Sequence, residues 1–106
     1  MVETVLNKDN GKLLTDNVRK HFANISKTKY WLEIAYYEPF DGYNCFFYIA
    51  RPRMFTRSIP VGEFDHCNFD ELIKILKTFR QTYQFTINLH GFNKEQKRQL
   101  YKEKIL

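Results

Sequence analysis

The chain alternates short aromatic, β-prone runs with stretches whose apolar residues recur every three or four positions. Residues 2–7, VETVLN, read as a short strand. Asp9-Asn10-Gly11 reads as a turn, because Asn and Gly tolerate positive φ. Thr15 or Asp16 is the expected cap of a first helix ending near Ser26, with Val18, Phe22 and Ile25 on one face. YWLEIAYYE (30–38) and NCFFYIAR (44–51) flank Pro39-Phe40-Asp41-Gly42, which predicts a β-hairpin. MFTRSIPV (54–61) adds a third strand, and Pro60 places it at an edge or ends it there.

Asn68 followed by Glu71 predicts a capping box. The helix behind it carries the stripe Phe69, Leu72, Ile73, Leu76, Phe79 and Tyr83. Asp70 and Glu71 in its first turn and Arg80 in its last suit the helix dipole. QFTINL (84–89) alternates as a strand, Gly91 breaks the chain, and Asn93 with Gln96 opens a final helix through residue 106. The expected fold is α+β. A small antiparallel sheet, made of the central hairpin and a third strand, packs with two to three helices in the order β-α-β-β-β-α-β-α. At 106 residues the chain is read as one domain, 1–106.

Both faces of the predicted hairpin carry aromatics. Tyr30, Leu32, Ile34 and Tyr36 share one face, and Trp31, Glu33, Ala35 and Tyr37 the other; Phe46 and Tyr48 alternate with Cys45, Phe47 and Ile49. Either helices cover both faces, with Trp31 in the core, or Trp31, Tyr37 and Tyr48 stay accessible as a stacking or contact platform. Burial is the commoner fate of any single large apolar residue.

Charge narrows the function. Seventeen Lys and Arg against twelve Asp and Glu give a net charge of +5, and the pI is near 9.2. That excess favours polyanions at long range. In ARPRMFTR (50–57), Arg51, Arg53 and Arg57 point the same way if the segment is extended. Arginine forks suit phosphates, so this row is one candidate contact; a charged edge that resists aggregation is the competing explanation. Lys94, Lys97 and Arg98 on the final helix are the second candidate. A solvated face is the alternative there, and docking of a partner through Leu100, Ile105 and Leu106 is a third.

Chemistry beyond binding finds little footing. Cys45, Cys67, His66 and His90 form no CxxC pair or HxxxH pattern, and no phosphate-binding glycine loop occurs. No catalytic residue, metal or cofactor is assigned, and an enzyme is not expected. The N-terminus lacks an apolar signal region and no run is long enough to span a membrane, so the expected location is cytoplasmic, with free thiols. The wealth of Lys, Asn, Ile, Phe and Tyr matches AT-rich codons and suggests an AT-rich bacterium, phage or plasmid.

The three strands and helix over residues 30–83 resemble in layout the arm-binding domains of phage integrases. The resemblance is one of topology over half the chain and carries no residue role. The expected function is that of a small basic nucleic-acid-binding accessory protein of phage or mobile-element type, with DNA ahead of RNA. An inhibitor or adaptor acting on a host protein or nucleoprotein through the aromatic sheet face is the alternative. A homodimer is left open.

Overall fold

The computed structural model describes residues 9–106; the strand expected over residues 2–7 lies outside them. The described elements are α1 (Asn10–His21), β1 (Lys29–Tyr37), a single 3-10 turn (Glu38–Phe40), β2 (Gly42–Ala50), β3 (Arg57–Phe64), α2 (Phe69–Arg80), β4 (Thr86–His90) and α3 (Lys94–Lys102). The four strands form one sheet in the order β3-β2-β1-β4. β1 pairs antiparallel with β2, and β2 with β3, but β4 lies parallel to β1. The fold is α+β as expected, with a mixed rather than antiparallel sheet. α2 carries the chain back to the starting end of the sheet, so the strand that follows runs the same way as β1.

The first helix starts earlier than the sequence pattern suggests. Asp9 caps it, its Oδ1 accepting the Lys12 amide at 3.0 Å, while Thr15 and Asp16 lie inside the helix. Asn10-Gly11 is the first helical turn, not a loop. A Cβ at Gly11 would stand 2.5 Å from Thr78 Cβ, so this glycine serves the close approach of α1 to α2. The helix ends at His21, and Ile25 is exposed beyond it. Gly42 is set by a similar constraint: a Cβ there would meet the Phe64 carbonyl oxygen at 2.1 Å.

Both later helices carry the expected capping boxes, Asn68 with Glu71 and Asn93 with Gln96. α3 is shorter than predicted. The chain reverses at Lys104, whose φ is 62°, and the Ile105 amide donates to the Leu100 carbonyl. Leu100 and Ile105 are therefore core residues and Leu106 packs partly against that core; none of them forms a docking face. Arg80 locks the corner, donating to the carbonyls of Ile105, Tyr83 and Phe85. Its burial lowers its pKa, a cost offset by the three carbonyls that accept from it.

The core lies on one side of the sheet. Leu32 and Ile34 of β1, Cys45, Phe47 and Ile49 of β2, Val61 of β3 and Ile87 of β4 meet Leu14, Val18, Leu72, Leu76, Phe79 and Leu100 of the helices. Phe47 sits at its centre, its ring 5.3 Å from Phe85 and 5.8 Å from Tyr30. The residues alternating with these, Trp31, Glu33, Ala35, Asn44, Phe46 and Tyr48, form the opposite face, where all are only partly buried. Among the described residues no helix is long and apolar enough to cross a membrane.

Candidate nucleic-acid interface

The cross-strand register builds the open face in rows. Ser58, Tyr48, Trp31 and Thr86 stand side by side across all four strands. The Trp31 and Tyr48 rings stack, with centroids 5.1 Å apart and planes 16° from parallel. Their outer neighbours, Ser58 and Thr86, are small and exposed. In the next row, Pro60, Phe46, Glu33 and Asn88 repeat the order.

Glu33 fixes the tryptophan. The indole Nε1–H donates to Glu33 Oε2 at 2.8 Å, while Glu33 Oε1 lies 2.7 Å from His90 Nε2. The indole hydrogen bond, with help from His90 and Asn88, holds the Glu33 carboxyl below the usual range; partial burial opposes them. A carboxyl with a lowered folded-state pKa contributes stability above its unfolded pKa, and that stability is lost as pH falls through the folded value. Trp31 emission should therefore change in acid, below the ordinary carboxylate range. Glu33→Gln, which keeps an acceptor but cannot titrate, should remove that acid step. A parent protein whose emission is flat through that range contradicts this role for Glu33.

The candidate arginines do not form a strand row. β2 ends at Ala50 and β3 begins at Arg57, so Arg51 and Arg53 lie in the connecting loop, and the Met54 amide donates to the Arg51 carbonyl. Arg53 is left-handed, with φ 62°. Arg57 faces Ile49 across the ladder and so opens β3 on the helix-bearing side. Two of the three thus sit on a loop and one on a strand, so the alternation that would align them along one face does not apply.

The loop still concentrates charge. Lys27 and Thr28 in the turn before β1 face Arg51, Pro52, Arg53 and Met54 across a groove of about 460 Å³. Lys29 begins β1 beside Ala50 on the open face. Among the described residues no carboxylate pairs with Lys27, Lys29, Arg51, Arg53 or Arg57. The opposite end of the sheet is acidic. Glu38 and Asp41 sit in the β1–β2 turn, Glu63 and Asp65 at the end of β3, and Asp70 and Glu71 in the first turn of α2. The His66 and Cys67 amides donate to Phe40 and Asp41 and tie these segments together.

That polarity separates the other candidates from the basic end. Tyr37 pairs with Gly42 beside the acidic turn and packs on Phe40. Six residues of extended chain place it about 20 Å from Trp31. Lys94, Lys97 and Arg98 are exposed on α3, which packs on the helix side, and Arg98 pairs with Glu95. So Trp31, Tyr48, Arg51 and Arg53 share one end, Arg57 adjoins it from the other face, and Tyr37, Lys94, Lys97 and Arg98 lie apart.

Two features escaped the sequence. Phe55 at the loop tip is 98% exposed and Met54 62%, so the arginines surround an apolar tip. The Glu33–His90 contact joins positions 57 apart, beyond the reach of any local pattern. The thiols are not poised as nucleophiles: burial pushes Cys67 up to about 11 and Cys45 further still. Among the described residues no three His, Cys, Asp or Glu side chains gather as a metal site. Comparison with protein-family models, curated proteins and solved structures returns no match.

Proposed function

We propose that this protein binds nucleic acid through the basic end of its sheet. The observation that carries the reading is a set of cations that pair with no described carboxylate: Lys27, Lys29, Arg51 and Arg53 gather at the sheet end that holds the Trp31–Tyr48 stack, Arg57 adjoins them from the other face, and Glu38, Asp41, Glu63, Asp65, Asp70 and Glu71 lie at the far end. Cations not engaged by a described carboxylate are available to neutralise phosphates and release the counterions condensed on a nucleic acid. The polar charge distribution also orients the approach of a polyanion toward that end. Within this reading DNA stands ahead of RNA, and the protein serves as an accessory factor rather than an enzyme.

A second reading, docking of a host protein, draws on the Met54–Phe55 tip, which fits an apolar pocket rimmed by acids. Filter binding separates the two. Labelled single- and double-stranded DNA and RNA should be retained at low salt and released as salt rises. Failure to retain any of them at low salt contradicts the proposal and leaves the protein-docking reading.

A further inference from the structure

We infer that the ligand of this surface is an unpaired nucleic-acid strand, with bases stacking on the Trp31–Tyr48 row and on Phe55 and phosphates held by Lys27, Lys29, Arg51 and Arg53. This rests on the nucleic-acid reading above and narrows it to one class of strand.

The row explains the choice. Trp31 and Tyr48 cover one ring face each by stacking together. In the register the stack is flanked by Thr86 and Ser58, side chains too small to cover an aromatic ring. Among the described residues the two sides of this partly exposed stack thus meet only small neighbours in the register, and Glu33 fixes the orientation of Trp31. Base faces are available to such rings only where bases are unpaired and splayed. A third ring, Phe55, stands exposed on the loop between the arginines, with no described residue over it.

The charges suit the same ligand. The groove between residues 25–28 and 51–54 is lined by Lys27, Arg51 and Arg53 and by no acid, and Lys29 stands at its border with the open face. A backbone lying there keeps its bases within reach of the rings and its phosphates away from Glu33. Duplex grooves, by contrast, are read by an inserted helix or a two-stranded ribbon. Among the described residues the basic end carries no helix, its β2–β3 hairpin is bound into the four-stranded sheet, and the lysine-rich helix α3 packs on the other side of the sheet.

Trp31 is the chain's only tryptophan, so its emission reports the site directly. The protein should be titrated with oligothymidylate and with a blunt duplex containing the same strand, at one salt concentration. Oligothymidylate should quench Trp31 and bind roughly ten-fold or more tightly than the duplex. Phe55→Ala should weaken oligothymidylate binding roughly ten-fold, the order expected for one lost base stack, with an unchanged circular dichroism spectrum. Trp31→Phe, followed by filter binding, should retain part of the affinity because a ring remains. Equal or tighter duplex binding without quenching overturns the inference while the nucleic-acid reading stands. Strand-selective binding that is indifferent to Phe55→Ala removes Phe55 from the site and overturns that part of the assignment. If neither strand nor duplex binds, the nucleic-acid reading falls with it.

Discussion

Replacing Arg51, Arg53 and Arg57 together with glutamate is expected to abolish nucleic-acid binding in a domain that stays folded. All three side chains are exposed and none is ion-paired with a described carboxylate. Exposed substitutions of this kind change stability by about 0.5 kcal/mol or less each. Removing mutual repulsion among the guanidiniums works in the protein's favour, and three glutamates repel one another in turn. Binding responds quite differently. Each phosphate contact with a single strand contributes about 0.7 to the slope of log affinity against log salt, so losing those of Arg51 and Arg53 lowers that slope by about 1.4. Repulsion of the reversed charges adds to the loss, and affinity at low salt should fall by more than about a hundred-fold. Lys94→Glu with Lys97→Glu, two reversals against three, is the control. These residues lie on the helix side, and the same reversal there should cost far less. Circular dichroism and filter binding at fixed salt make the comparison. A folded triple variant that binds as the parent does removes the 51–57 loop from the site.

Phe47→Ala carries the largest expected cost to folding. The ring is fully buried on β2, between β1 and β3, and touches Tyr30 and Phe85. Its removal leaves a cavity bounded by both strands and helices, which cannot collapse without moving the sheet. Phe→Ala at such sites costs about 3–5 kcal/mol. A domain of this size has about 5–15 kcal/mol in all, so the variant should lose from about a fifth of that margin to nearly all of it. Urea unfolding followed by Trp31 emission measures this. A midpoint within error of the parent would show that the core is not centred on Phe47.

Several elements were legible in the sequence because local chemistry determines them. Asn68 with Glu71 and Asn93 with Gln96 specify helix starts through bonds made within four residues. The aromatic hairpin announced itself by composition, and Pro60 falls in an edge strand, as its missing amide hydrogen demands. What failed depended on distant neighbours. Gly11 looked like a turn residue, but the need for a small side chain comes from Thr78, far along the chain. The parallel pairing of β4 with β1 is decided by where α2 delivers the chain, which no pattern in residues 84–89 records.

The arginine segment misled for a specific reason. Met54, Phe55 and Thr56 have strand propensity, and odd spacing suggested one face. Pro52 was the contrary signal, because it starts a turn readily and supplies no amide to a ladder. The arginines frame a loop tip beside the aromatic row instead of lining a strand. Composition gave the aromatic and cationic residues as candidates. Only the register showed that Trp31 and Tyr48 are cross-strand partners and that Tyr37 belongs to the acidic end.

The central claim is one of location, and amide-resolved chemical-shift mapping during an oligonucleotide titration tests it most directly. Perturbations should gather at residues 27–31, 48–58 and 86–88, which form the basic end and the aromatic row, and residues 94–104 of α3 should stay unmoved. Shifts centred on α3 or on the acidic β1–β2 turn, or no shifts at low salt with excess oligonucleotide, would contradict the account.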